Sequence, residues 1–310
     1  MESFNPTNLK SLYIPPKESH KGKNGKLLII GGSHLFHSAS LWSLKVASRI
    51  VDLVHYSSVP ENNAIVAKLT EEFRDGIIVP RGEIESYIEE DDCVLVGPGM
   101  VRADNETMKQ FSLPDRQAGN VTMKNLKDII EIEDEGVQTY YLTKYLLEKY
   151  PNKKWVIDAG ALQMMELSWI PSGAILTPHQ SEFERLKLKI KSEKLKMIME
   201  NEKIDDQVKE FAKEYKCTVL LKGVEDIVCN QSNCVKVTGG NQGMTKGGTG
   251  DVLAGLVAAL YTKNDAFLAA SAASYINKKA GEDLSEKMGI YFNASDLTDQ
   301  IPQTMKRLLL

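Results

Sequence analysis

Most features that would assign a chain to a specialised class are scarce here. Only four cysteines occur in 310 residues, Cys93, Cys217, Cys229 and Cys234, with no CxxC pair and no histidine-rich stretch beside them. Nothing therefore marks a structural zinc site. Cys229 and Cys234 stand at the two ends of "CNQSNC" and can face each other across a hairpin. Reduced thiols are the expectation; pairing is the alternative, favoured in hyperthermophiles, where intracellular disulfides occur. No apolar run approaches about 18 residues, and the start, "MESFNPTNLKSLYIPPK", lacks the apolar segment of a secretory signal. A cytoplasmic protein is expected. Excess charge is missing too: 38 Lys and Arg against 42 Asp and Glu leave a net charge of −4, with no general attraction to nucleic acid or anionic membrane. Aromatic residues reach only 7%, and no basic patch is interleaved with them. What is present is apolar material: 42% hydrophobic residues can build a substantial core without metal or disulfide support.

The apolar residues are arranged as an alternation of short strands and helices. "KLLIIGGSH" reads as a buried strand entering a glycine turn, "ASLWSLKVASRIV" has helical spacing, and "LVHYSSV" returns to strand. The same unit recurs in "DDCVLVGPGM", "KKWVIDAGALQMM", "GAILTPHQSEFERL" and "CTVLLKGVEDIV". This order predicts an α/β fold with a mostly parallel central sheet and helices on both faces. In such sheets ligands bind outside the carboxyl ends of the strands, so each strand-end turn is a candidate site segment. Residues 1–20, with Pro6, Pro15 and Pro16, read as an irregular arm before a single domain over 21–310. Residues 103–135 read as a polar insertion containing "SLPDRQAGN", and 182–216 as a solvated pair of Lys/Glu-rich helices. "DVLAGLVAALYTK" and "DAFLAASAASYINKKAGEDL" are apolar, Ala-rich helices suited to close packing.

The segment "NQGMTKGGTGDVLAG" joins these readings to chemistry. Glycines ahead of a helix let the backbone take positive φ and bring N–H groups close to an anion. The first turn of the helix leaves N–H groups unpaired and its dipole favours negative charge there. Residues 247–251 thus form a candidate cradle for a phosphoryl group. It is not a P-loop, since Gly-x4-Gly-Lys-Ser/Thr is absent. Asp251 has two readings: a cap or first-turn acid that stabilises the helix, or a base facing a substrate hydroxyl beside the phosphate.

Taken in order, "GKLLIIGGS", "GPGM", "TPHQSE", "LLKGVED" and "GMTKGGTGDVLAG" resemble the ribokinase-like superfamily, and more closely the ADP- or ATP-dependent NAD(P)H-hydrate dehydratases, over roughly residues 20–300. That resemblance implies a ribokinase-like domain that repairs hydrated nicotinamide cofactors (NADHX and NADPHX). It implies contacts to the hydrated dinucleotide from Ala39, Gly99, His179 and Asp251, with Ser38-Ala39 standing where the family has Gly-Ala. The nucleotide would lie along Lys222, Gly223, Val224, Glu225 and Asp226, with its phosphates on Gly247, Gly248, Thr249 and Gly250. Gly97, Thr177 and Glu182 would support these loops. Asp158, in "VIDAGAL", would orient water, magnesium or substrate, or else cap the following helix. Gln180-Ser181 replace the family's Pro-Gly in the histidine turn. The implied co-substrate is ADP rather than ATP, as in stand-alone microbial members without a fused epimerase domain, with magnesium accompanying it and no protein metal ligands identified. The implied assembly is a homo-oligomer, often a tetramer among relatives.

Two other readings use the same residues. A small-molecule alcohol kinase of the superfamily would employ Gly250-Asp251 equally well, although sugar kinases carry a different glycine motif and vitamin kinases tend to have cysteine at the position of Asp251. A non-catalytic nucleotide-binding protein would keep the fold and lose the chemistry.

Overall fold

Strand β2 (Lys26–Ile30) shows why the sheet is covered on both faces. Successive side chains of a strand point to opposite sides, so an unbroken apolar run needs two apolar neighbours. Leu27 and Ile29 enter one core with the helices His37–Ala47, Thr249–Tyr261 and Ala266–Met288. Leu28 and Ile30 enter a second core with Ile84, Leu142, Phe183 and Phe211 from helices on the other face. These four of the five β2 residues are fully buried, and each such aliphatic side chain contributes about 1.5–3 kcal/mol of burial free energy.

The computed structural model describes residues 1–68, 75–104, 106–108 and 125–310. Among them one ten-stranded sheet runs in the order β1-β10-β9-β8-β7-β6-β5-β2-β3-β4. The remaining strands are β1 (Glu2–Ser3), β3 (Leu53–Ser57), β4 (Ile77–Ile78), β5 (Cys93–Val96), β6 (Lys154–Ile157), β7 (Ile175–Leu176), β8 (Thr218–Leu221), β9 (Asp226–Cys229) and β10 (Cys234–Val237). From β8 to β4 every pairing is parallel; β9 alone runs antiparallel to both of its neighbours, β8 and β10. The α/β expectation of a mostly parallel sheet between helices is therefore met.

Three local expectations are revised. Residues 1–20 are not irregular throughout: β1 pairs with β10, Pro6–Ser11 forms a short 3-10 helix, and Phe4, Leu9 and Leu12 are buried. The charged stretch after residue 180 is three helices rather than two, Gln180–Leu188, Glu193–Asn201 and Ile204–Glu214. Apart from the buried Glu182 their charges face outward, while Phe183, Leu186, Leu195, Val208 and Phe211 join the core. Cys229 and Cys234, expected as free thiols, are bridged, because the β9–β10 register sets them directly opposite with Cα atoms 4.2 Å apart. Cys93 and Cys217 are free and buried. Of the expected polar insertion, "SLPDRQAGN" lies outside the described residues, whereas Leu126–Ile130 is a short helix with Leu126 and Ile129 buried. No helix of the described residues is long and apolar enough to cross a membrane.

Candidate active site

The parallel ladder continues one residue past each strand and so brings the predicted turns onto one edge. Gly31 donates to the Ser57 carbonyl, Gly97 to Ile30, Asp158 to Val96, Thr177 to Ile157 and Lys222 to Pro178, at 2.8–3.3 Å. These five residues leave β2, β5, β6, β7 and β8 at their carboxyl ends, where a parallel sheet offers its ligand crevice. A further bridge couples His179 with Lys222.

Two glycines on this edge are required by the backbone. Gly97 has φ +122°, and a Cβ there would stand 1.8 Å from the Asp158 carbonyl oxygen, so the β5 turn can pack on the β6 turn only without a side chain. Gly248 has φ +94° and caps the Thr249–Tyr261 helix; a Cβ would stand 2.3 Å from the Trp42 ring. Gly247, by contrast, faces open space. Gly99 lies beside Ala39 and Gly32, since its Cβ position is 3.0 Å from the Ala39 Cβ and 3.2 Å from the Gly32 Cα. The first glycine turn and the "GPGM" turn thus meet, as their order in the chain alone does not show.

Asp251 is the third residue of the Thr249–Tyr261 helix and does not cap it; that position belongs to Gly248. The helix is seated by Gly255, whose Cβ position is 2.6 Å from the Ser43 Cα, and by Ser43 Oγ donating to the Asp251 carbonyl at 2.7 Å. Burial, then the negative charge of Asp158, pushes the Asp251 carboxyl up to about 7; Lys222 opposes the rise and Glu182 adds to it. A carboxyl in that range gains and loses its proton near neutrality, as a general base must.

Around it a compact charge network is held by hydrogen bonds. The Asp158 carboxylate accepts from Lys222 Nζ at 3.0 Å and from Thr177 Oγ1 at 2.7 Å. Its side chain makes no helix-capping bond, which removes the capping reading. The next residue, Ala159, takes φ +42°, a conformation that non-glycine residues rarely adopt and that the surrounding packing has to hold. Burial pulls the Lys222 ammonium toward neutrality, but Asp158, Glu182 and Asp251 outweigh it and the pKa is raised. The ammonium lies 3.6 Å from the Cβ position of Gly250, directly at the helix start. His179 caps the Gln180–Leu188 helix: Nδ1 accepts from the Glu182 N–H at 3.3 Å, and the Glu182 carboxylate accepts from the His179 N–H at 2.9 Å. Glu182 is buried, while the imidazole is about half exposed and open to a ligand.

A cleft of about 660 Å³ extends from His179, Lys222 and Gly250 to Gly239, Met244 and Asn277, a volume within the usual range of ligand sites. Its side wall, Gly223 to Asp226, is supported from below. The Asp226 carboxylate accepts from the Gly223 N–H at 2.8 Å and from Ser274 Oγ at 2.7 Å, and pairs with Lys278 at 3.3 Å. Asp226 is buried and holds the loop, Val224 is exposed, and Glu225 turns toward Lys236 at 3.9 Å. The sequence does not mark Asn277 and Lys278, because inside an Ala-rich helix nothing shows which polar residue faces a cleft. A second hollow of about 280 Å³, lined by Leu12, Ile50, Leu260 and Leu309, lies toward the amino ends of the strands, away from this chemistry.

A family model described as NAD(P)H-hydrate dehydratase matches residues 27–303. The ADP-dependent (S)-NAD(P)H-hydrate dehydratase of Nitrosopumilus maritimus is 35% identical over 306 residues, covering 97% of this chain and 96% of that one. The bifunctional NAD(P)H-hydrate repair enzyme of Methanocaldococcus jannaschii is 32% identical over 96% of this chain, which spans about half, 52%, of its length. The solved ADP/ATP-dependent NAD(P)H-hydrate dehydratase of Bacillus subtilis, co-crystallized with ATP/Mg2+, superposes with a TM-score of 0.72 at 20% identity, covering 99% of this chain and 98% of that one. The fold is the ribokinase-like α/β fold.

Proposed function

This chain belongs to the NAD(P)H-hydrate dehydratase family, and we propose that it restores NADH and NADPH from their hydrates at the expense of a nucleotide, ADP in preference to ATP. The observation that carries the reading is Asp251: a carboxyl with its pKa pushed up to about 7, in the first turn of a glycine-started helix and within the field of Lys222. The ADP preference follows the ADP-dependent relative of Nitrosopumilus maritimus, which this chain matches nearly end to end.

The hydroxyl on C6 of the hydrated nicotinamide ring is a poor leaving group. Asp251 takes its proton as the oxygen attacks the terminal phosphorus of the nucleotide. The O–P bond forms, the bond from that phosphorus to the rest of the nucleotide breaks, and ADP leaves as AMP. The N–H groups of residues 248–251 and the Lys222 ammonium face the charge on the transferring phosphoryl group, an arrangement that acts by positioning and electrostatics rather than by covalent chemistry. Expulsion of phosphate from C6, assisted by the ring nitrogen, with loss of a proton from C5, then returns the dihydronicotinamide. Ala39, Gly99 and His179 would bind the hydrated dinucleotide, with Gly97, Thr177 and Glu182 shaping their turns. Gly223, Val224, Glu225 and Asp226 would flank the nucleotide, Asp226 from beneath the loop.

Magnesium fits as a passenger of the nucleotide rather than as a resident of a protein cage. Among the described residues no group of three acidic, histidine or cysteine side chains is placed to hold a metal, and one Asp158 oxygen is already engaged by Lys222 and Thr177. Magnesium is commonly bound through substrate phosphates with few protein ligands. We assign the partners as small molecules, with assembly into a homo-oligomer.

The test is to incubate the protein with hydrated NADH and with ADP or ATP in turn, following the return of reduced-nicotinamide absorbance. Recovery with ADP supports the proposal. No recovery with either nucleotide, where binding of both is detected, overturns it.

A further inference from the structure

One polar side chain in the cleft has no job in the fold. Asn277 is 4% exposed, lines the cleft, and its amide oxygen Oδ1 is enclosed without a hydrogen-bond partner. Its neighbours in the same helix are fully employed: Ser274 donates to Asp226, and the Lys278 ammonium reaches the Gly223 and Val224 carbonyls at 3.1 and 3.0 Å. A buried amide oxygen without a partner costs stability that an apolar residue of the same size would not. As placed the oxygen is closed off from the cleft, but the side chain lines the wall, and a half-turn of the amide presents that oxygen to a ligand able to supply the missing bond.

The position of Asn277 in the cleft says which part of a ligand that is. Lys222, Thr249 and Gly250 form the cationic and helix-start end, suited to phosphate. Further along, the lining becomes Leu253, Met244 and the stem of Lys278, which packs beside Gly240. Of the three amides in the lining, Asn241 is engaged with the Gly281 carbonyl and the Gly243 N–H and Gln242 is exposed, which leaves Asn277, buried beside these apolar side chains, as the one suited to meet the edge of a heterocyclic base. An amide offers one donor and one acceptor side by side and can turn end for end about its Cβ–Cγ bond. Adenine presents the complementary pair, an amino group next to a ring nitrogen, and Asn is a recurrent bidentate partner of adenine.

Resting on the reading of this cleft as the nucleotide site, we infer that Asn277 binds the base edge of an adenine nucleotide and is a specificity-determining residue for the co-substrate. Its side chain contributes to the base and nothing to the phosphates, which stay with Lys222 and the helix start. The residue works in binding, so its loss raises the KM for nucleotide and leaves kcat nearly unchanged at saturation.

Calorimetric titrations with ADP, GDP and pyrophosphate test this. Asn277→Leu keeps the side-chain volume and should weaken ADP binding about tenfold, the worth of one or two lost hydrogen bonds, while pyrophosphate binding stays as in the unsubstituted protein. Asn277→Asp offers two acceptors, which match the paired N–H groups of guanine and oppose the ring nitrogen of adenine, so the ratio of ADP to GDP affinity should fall at least as far. Unchanged ADP affinity in Asn277→Leu overturns the assignment, as does equal loss of ADP and pyrophosphate, which would mark a structural role. Lys222→Met serves as the control on the site itself: if it leaves pyrophosphate binding intact, the cleft is not the phosphate site and the inference falls with that reading.

Discussion

The Lys222 ammonium is held 3.0 Å from the Asp158 carboxylate, across the end of β7 that separates their two strands, and lies against the start of the Thr249–Tyr261 helix. This pair sets the electrostatic balance of the site. Asp158 raises the Asp251 pKa and Lys222 lowers it, while both are themselves locked by Thr177 and the β-ladder.

The first consequence is a pH profile. In the proposed mechanism Asp251 acts as a base only when ionised, and burial pushes its carboxyl up to about 7. The value of kcat/KM should therefore fall about tenfold per pH unit below 7 and level off above it. Steady-state rates across the range check this; an acid limb near pH 4 would remove Asp251 as the titrating base.

Replacing that residue separates chemistry from stability. Asp251→Asn should lower kcat by about 10²–10⁴-fold while nucleotide still binds. The folded carboxyl keeps its proton up to about pH 7, whereas an unfolded aspartate loses it near 3.8, so the folded chain binds more protons between those values. Stability then declines as pH rises from 4 to 7, and above 7 the Asn variant should be the more stable, by about 1–3 kcal/mol after allowance for partial exposure. Denaturant melts at pH 5 and pH 8 measure the difference; equal stability at both pH values contradicts the assignment.

Asp158→Asn removes the neighbouring negative charge and leaves Lys222 free to act on Asp251. Both changes favour the ionised carboxylate. The acid limb of the pH profile should move down by about one unit. A shift upward, or none, would show that Asp158 does not tune the base.

The β5–β6 contact predicts a folding defect. Gly97→Ala would place a methyl group 1.8 Å from the Asp158 carbonyl at φ +122°, with no side chain that could yield. A loss of more than about 3 kcal/mol is expected, read by denaturant unfolding. A variant of native stability would contradict the packing of these two turns.

Much of this site is legible in the chain and some is not. The strand-end turns stand out because apolar runs stop abruptly at glycine or polar residues, and parallel pairing brings such ends together. Which of those residues touch is another matter. Asp158 and Lys222 are 64 positions apart, and nothing local says that they pair. The His179–Glu182 capping box is not legible in the chain because histidine is not among the usual capping residues. The Cys229–Cys234 bridge depended on a strand register that the spacing alone left open. Asn277 is visible only as an unpaired atom in a folded cleft.

The central claim is that the Asp251 carboxylate, poised at the helix start, takes the proton from the ring hydroxyl as phosphoryl transfer from ADP begins. The direct measurement is turnover of hydrated NADH with ADP by the unsubstituted protein and by Asp251→Asn, with ADP affinity measured on both. The account predicts full recovery of NADH and formation of AMP by the first, and near-complete loss of turnover with ADP affinity retained in the second. Turnover by Asp251→Asn at the unsubstituted rate would contradict it.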